Sequence, residues 1–340
     1  MEQDSGDVFA GLKGRVIPGF VDIQVNGGFG HDFTENPATI WDVAARLPAY
    51  GVTAFLPTVI SSPPSTAARA LEVLASGPPD GWAGAHPLGI HLEGPMISPR
   101  RRGTHPQSAL ISPTPAYLER VLAAGTPRMV TLAPELPGAE AAISALTKKG
   151  TIVAAGHSDA TAAEARRAFG WGATHVTHLF NAMSGLAHRH PGLVAAVLDD
   201  RSVTAGLICD GLHVAPELVR LAWRMLGPDR IALVTDAIAA LGVGDGSFQV
   251  GRVPVEVHGI EVRNPEGKLA GSAATMDHVF RTMIDLTGCS LEDAVTMSST
   301  TPSRILGYRR SAGDLVVIDD DLRVLATAVD DRVVYRRHEG

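Results

Sequence analysis

The sequence predicts an α/β fold, a (β/α)8 TIM-like barrel with a small β-sandwich subdomain formed by the chain termini. Three observations predict it. Eight short apolar runs recur along the 340 residues, near-continuous rather than alternating, which is how parallel strands covered on both faces read. Between them lie Ala- and Leu-rich stretches with helical spacing, such as AAISALTKKG and APELVRLAWRML. Four polar residues suited to one chemistry also sit at the downstream ends of four of the runs, and a parallel barrel gathers such ends onto one face.

In order, the runs are FVDIQVN (20–26), TAFLPTV (53–59), LGIHLEG (88–94), RMVTLAP (128–134), TIVAAGH (151–157), THVTHLF (174–180), VTAGLICD (203–210) and ALVTDA (232–237). The second is the weakest strand, because Pro57 interrupts its pattern. After the eighth, residues 246–263 alternate and contain turn glycines, so they read as a β-hairpin inserted before the next helix. From Asp314 to Arg336 the tail reads as three more strands, and GRVIPGF near the start can pair with them. The expected division is residues 1–17 for the N-terminal part of the β-subdomain, 18–308 for the barrel and 309–340 for the C-terminal part.

Composition narrows the function classes. At 45% hydrophobic and 19% charged residues, the chain can bury a large core. A net charge of −7 with 29 dispersed Lys and Arg residues argues against nucleic-acid binding. An anionic substrate must therefore be held by local cations and backbone amides, without help from the global field. Two cysteines, Cys209 and Cys289, are too few for a disulfide framework and read as small core residues. The start, MEQDSGD, is the reverse of a secretory signal, and no apolar stretch approaches the ~20 residues that span a bilayer. A cytoplasmic protein with no membrane partner is expected.

The four strand-end residues are Glu93 in GIHLEGP, His157 in VAAGHSD, His178 in THVTHLF and Asp236 in LVTDA. His157 and His178 are one strand–helix unit apart and should end adjacent strands. Two imidazoles and a carboxylate suit one divalent metal ion per subunit, with Zn2+ the usual candidate and Fe2+, Mn2+ or Co2+ able to use the same set. Three protein ligands leave room for a water whose pKa the ion lowers toward neutrality. Asp236 can accept the proton of that water and deliver it to a departing amine. His213, in CDGLHV, can polarise a substrate carbonyl from the opposite side. Together these parts describe hydrolysis of an amide or ester. Taken singly, Glu93 could be a buried ion-pair partner and Asp236 a cap. The remaining histidines His31, His86, His175, His258, His278 and His338 read as structural.

The first strand ends in Gln24-Val25-Asn26, where dinuclear relatives of this barrel type carry His-x-His. Amides compete poorly for a transition metal, so a single ion is expected. Gln24 and Asn26 either hydrogen-bond the metal's water or tie down the strand end. A rival reading takes Gly156–Ala160 as a nucleophile elbow, with Ser158, Asp236 and His258 or His278 as a serine-hydrolase triad. It leaves Glu93 and His178 idle.

The motifs GFVDIQVNGG, HLEGP, GTHP, AGHSDA, THLFNAM, DGLHV, VTDA, LAGSAATM and TPSRILG occur in that order between about Gly14 and Val334. In them the chain resembles the N-acetylglucosamine-6-phosphate deacetylase family of the amidohydrolase superfamily. The resemblance implies hydrolysis of the acetamide of N-acetylglucosamine 6-phosphate to glucosamine 6-phosphate and acetate, with the galactosamine epimer as the alternative substrate. It implies Glu93, His157 and His178 as metal ligands, Asp236 as general acid/base and His213 on the acetyl carbonyl. Asn181 and the backbone of Ala182 would contact the sugar phosphate, and His105 in GTHP the sugar hydroxyls. Arg189 in AHRHPG would reach the phosphate bound by a neighbouring subunit, which implies a homodimer. Read without the resemblance, Arg189 is a solvated surface residue, Asn181 a turn residue and His105 a surface histidine. Family members carry a longer N-terminal stretch of strands before the GFVD motif, so the expectation is either an incomplete β-subdomain or a true start upstream of Met1.

Overall fold

Eight parallel strands succeed one another around a barrel: β2 (Phe20–Val25), β3 (Val52–Ile60), β4 (His91–Glu93), β5 (Met129–Leu132), β6 (Ile152–Ala155), β7 (Ala173–Val176), β8 (Thr204–Ile208) and β9 (Ile231–Val234). The structure is a computed structural model that describes residues 8–9 and 11–337. Much of the expected N-terminal part of the β-subdomain (residues 1–7 and 10) and His338 lie outside the described residues. Seven regular parallel pairings run from β2 to β9. The seam between β9 and β2 is closed by a bridge between Val25 and Ala237. There the Asn26 N–H donates to Ala237 O at 2.7 Å and the Asp236 N–H to Gln24 O at 3.0 Å.

Helices alternate with the strands: α1 (Ile40–Ala44), α2 (Pro64–Ala75), α3 (Pro115–Ala124), α4 (Ala139–Lys148), α5 (Ala162–Trp171), α6 (Leu193–Asp199), α7 (Pro216–Leu226) and α8 (Met276–Thr287). Their starts are written in the sequence. Proline opens α2, α3 and α7, where a missing N–H costs nothing. A capping box between Thr161 and Glu164 starts α5.

Pro57 sits inside β3, the longest barrel strand, and β3 is buried throughout. It is tolerated because it falls where the ladder is interrupted. On one side β3 pairs through Ala54 and Phe55 with the two-residue strand His86–Pro87, then through Thr58 to Ile60 with β4. On the other, the register with β2 shifts between Asp22 and Val25.

Two apolar layers follow from strand alternation. Val21, Ile23, Ala54, Leu56, Met129 and Val234 belong to one buried cluster, completed by Leu306. Phe20, Phe55, Val130, Val153 and Val176 belong to the larger cluster that includes the helices' apolar faces. A polar belt crosses the barrel near Glu93: the His91 ring bonds Thr131 Oγ1 at 2.7 Å, and Thr131 Oγ1 lies 2.6 Å from Thr177 Oγ1.

The segment expected as a hairpin holds three antiparallel strands, β10 (Gly246–Val250), β11 (Val253–His258) and β12 (Glu261–Arg263). The third is only three residues long, and a Gly259–Ile260 turn separates it from β11. Alternation by itself read the segment as one hairpin. The terminal subdomain is, among the described residues, a four-stranded antiparallel sheet. Its order is β1 (Arg15–Pro18), β13 (Leu315–Ile318), β14 (Val324–Val329) and β15 (Arg332–Arg336), with β1 and β13 joined as expected of GRVIPGF. Among the described residues, no helix is long and apolar enough to cross a membrane.

Candidate active site

Glu93 ends β4, His157 follows β6, His178 follows β7 and Asp236 follows β9, all at the downstream mouth of the barrel. Sequence periodicity does not show how the side chains enter it. His157, His178 and Asp236 have φ of +47°, +28° and +52°. Non-glycine residues adopt this left-handed region at a cost, and such strain concentrates at functional sites.

The side chains of Glu93, His157 and His178 converge. Glu93 Oε1 lies 3.1 Å from His157 Nε2 and 3.0 Å from His178 Nε2, and the two Nε2 atoms are 3.0 Å apart. All three residues are at most 5% exposed. Ligand atoms at about 2.0–2.2 Å from one tetrahedral cation are separated by spacings of this order. The His157 Nδ1–H donates to Arg101 O at 2.8 Å, so in the neutral ring Nε2 presents a lone pair to its neighbours. Two ring nitrogens and a carboxylate oxygen facing one another, all three side chains buried, are the donor set a divalent transition metal would take, and the residues fit one.

Asp236 lies on the other side of Gln24. The Gln24 amide donates to both Glu93 Oε1, at 3.0 Å, and Asp236 Oδ1, at 3.1 Å, while the Asn26 amide donates to the same Asp236 oxygen at 2.7 Å. Gln24 thus bridges the two carboxylates and Asn26 bonds Asp236 alone, at the positions where His-x-His would stand. Burial, reinforced by the negative Glu93, pushes Asp236 up to about 6. Burial raises Glu93, but when no cation is bound the hydrogen bonds and charge of His157 and His178, in their protonated form, outweigh it and hold its carboxyl well below the usual range.

Sequence reading missed several partners. Asp210 ends β8's extension, and its Oδ2 accepts the His213 Nδ1–H at 2.7 Å, while Oδ1 accepts the His213 backbone N–H at 2.9 Å. The Asp-x-x-His spacing in CDGLHV is the signal that could have revealed it. Ser61 Oγ lies 2.7 Å from His105 Nδ1. His105 is 4% exposed, with its ring centroid 4.5 Å from that of His157 and Nε2 3.8 Å from Glu93 Oε2. A surface histidine is thereby ruled out. Burial and the neighbouring His157 push it down to about 3, so it is a neutral ring. Gly94, at φ +82°, allows this packing, because a Cβ there would meet Ser61 Oγ at 2.3 Å.

Above these groups opens a cavity of about 330 Å3, lined among others by Asn181, Ala182, His213, Arg102 and Lys268. Its cations are partly neutralised: Arg101 pairs with Asp159 at 2.8 Å, Lys268 with Glu266 at 2.8 Å, and Arg102 also with Glu266. Arg189 is exposed on the 184–191 loop and is not among the residues lining this cavity. The serine-hydrolase alternative does not assemble. Ser158 is buried and its hydroxyl donates to Glu135 at 2.7 Å. His258 points to solvent beside Asp245, and His278 is bonded to Asp210 O. Strand-to-loop spacing imitated an elbow without bringing a base to it. His175, read as structural, is buried against Thr204 Oγ1 at 2.8 Å.

Residues 15–329 match the family model described as amidohydrolase family. The chain belongs to that family. Human N-acetylglucosamine-6-phosphate deacetylase is 41% identical over 349 residues, covering 95% of this chain and 84% of the relative. N-acetylgalactosamine-6-phosphate deacetylase of Escherichia coli O157:H7 is 38% identical, covering 88% and 80%. Among solved structures, a variant of N-acetyl-D-glucosamine-6-phosphate deacetylase from Mycobacterium smegmatis, in complex with N-acetyl-D-glucosamine-6-phosphate, superposes with a TM-score of 0.88 at 38% identity, covering 94% of this chain and 86% of that one. Within the amidohydrolases, the chain is a member of the N-acetylglucosamine-6-phosphate deacetylases, as its motifs led one to expect.

Proposed function

We propose that the protein hydrolyses the acetamide of N-acetylglucosamine 6-phosphate, releasing acetate and glucosamine 6-phosphate, with one divalent metal ion, Zn2+ first among candidates, held by Glu93, His157 and His178. The observation that carries this reading is the convergence of the three buried donors at 3.0–3.1 Å, with the Asp236 carboxylate joined to Glu93 through the Gln24 amide. When bound, the cation supplies Lewis acidity, bringing a water's pKa within reach of neutral pH and polarising an acyl oxygen.

The chain's own residues do the rest. Asp236 takes a proton from the attacking water and returns it to the amine as the C–N bond breaks. Gln24 and Asn26 aim one Asp236 oxygen, leaving Oδ2 to the reacting atoms. His213, held through Nδ1 by Asp210, presents Nε2 to the acyl oxygen. His105 presents a neutral Nε2–H to the sugar, since its Nδ1 accepts the Ser61 N–H at 3.3 Å. Asn181 and the Ala182 backbone bind the phosphate, and Arg189 completes that subsite in a neighbouring copy, in a homodimer. The exposure of Arg189 away from its own cavity supports this arrangement.

The test is acetate release from both epimeric sugar phosphates, with elemental analysis of the purified protein. Release from the glucosamine derivative, abolished by a chelator and restored by Zn2+, is the expected result. Preference for the galactosamine epimer would reassign the substrate, and chelator-resistant turnover would remove the metal.

A further inference from the structure

The barrel seam between β9 and β2 has no regular ladder, and one side chain that the chemistry does not use bridges it. Asp22, in the middle of β2, is 1% exposed. Its Oδ2 accepts the Thr235 hydroxyl at 2.5 Å, and its two oxygens face the Thr235 N–H at 3.3 and 3.4 Å. Its Oδ1 also accepts the Gln24 N–H at 3.2 Å. The Thr235 hydroxyl in turn accepts the Ala237 N–H at 3.2 Å.

These bonds bracket Asp236. Thr235 precedes it, Ala237 follows it, and Asp236 itself stands at φ +52°. A strained non-glycine backbone persists only where its surroundings over-determine it. The same carboxyl fixes the backbone of Gln24, whose amide joins Glu93 to Asp236. We infer that Asp22 is a positioning residue for the deacetylation: through Thr235 and Gln24 it sets where the Asp236 carboxylate stands relative to Glu93. The inference rests on Asp236 as the proton carrier and adds a residue that touches neither substrate nor metal ligand.

A filler role accounts for Asp22 poorly. Burying a carboxyl among backbone and hydroxyl partners costs more than burying an apolar group of the same shape. Burial pushes its pKa up to about 7, the mark of a carboxyl held where solvent does not help it.

The experiment uses the metal-loaded full chain, with kcat and KM for N-acetylglucosamine 6-phosphate expressed per bound metal. D22A is expected to lower kcat about tenfold or more while KM and metal content stay near wild type, since small misplacements of reacting groups act on rate. D22N should restore most of the rate, because an amide still accepts from the backbone N–H groups and can donate to the Thr235 hydroxyl. T235V, which keeps the shape and removes the hydroxyl, should also lower kcat, and the D22A/T235V double variant should be no worse than D22A, as coupled residues are. Wild-type kcat in T235V, or additive effects in the double variant, would overturn the inference even if D22A fails to fold. D236N in the same assay separates the two readings. If it is silent while D22A and T235V turn over normally, only Asp22 loses its role; if D236N turns over normally, the proton-carrier reading falls and this one with it.

Discussion

At the residue scale, the site shows which roles a sequence announces. Glu93, His157, His178 and Asp236 were legible because each ends an apolar run, and strand ends of a parallel barrel share a face. Ser61, His91 and Asp22 were not, because their partners are distant in the chain, and Asp210 was passed over although its partner His213 lies only three residues on. Two predictions belong here. Asp236→Asn keeps the bonds to Gln24 or Asn26 within reach but cannot carry a proton, so kcat should fall by about 10²–10⁴ at unchanged metal content. Retained turnover per bound metal would remove Asp236 from the mechanism. The second concerns Asp22, raised from 3.8 to about 7 by burial. The folded chain then holds a proton that the unfolded chain releases, so this group's contribution to stability falls as pH rises from 3.8 to about 7 and levels off above it. Denaturant midpoints measured across that interval should decline more steeply in the wild type than in Asp22→Asn; parallel curves would show that Asp22 does not titrate there.

At the element scale, strands and helices came through wherever burial and local signals agreed. Pro57 looked like a strand breaker and is instead inside β3, because the register with β2 and the partner on the other edge both change around it. The 246–263 insertion shows the opposite limit: alternation identifies strands but does not count the turns between very short ones. The packing of β2 on α8 is a place to measure what an element contributes. Phe20 is fully buried and its ring lies 5.0 Å from that of Phe280. Phe20→Ala should cost about 3–5 kcal/mol, as large core truncations do. A shift of less than about 1 kcal/mol in denaturant unfolding would mean that the seam side of the barrel repacks freely.

For the whole molecule, the proposed function makes two features depend on something outside the chain. The Glu93–His157–His178 cluster keeps its nitrogens and carboxylate oxygen together in a buried group, so a cation bound there stabilises the folded state by an amount that grows with the logarithm of its concentration over Kd. Chelation should lower Tm along with turnover, and Zn2+ should restore both; an unchanged Tm would place the ion elsewhere. Arg189, exposed on its loop, is the residue proposed above for a neighbour's phosphate subsite. Arg189→Ala should raise KM for the phosphorylated sugar well beyond any loss of kcat, and an unchanged KM would return the residue to the solvated surface.

Periodicity, composition and ordered motifs determined the barrel, its family and the donor set, since strand alternation and strand-end chemistry are local properties of the chain. Which carboxylate each amide steadies, which backbone is strained and how the seam between first and last strands is locked were decided only on folding. Those contacts join residues far apart in the chain, 69 positions for Gln24 and Glu93 and 213 for Asp22 and Thr235, and short-range patterning holds no record of them.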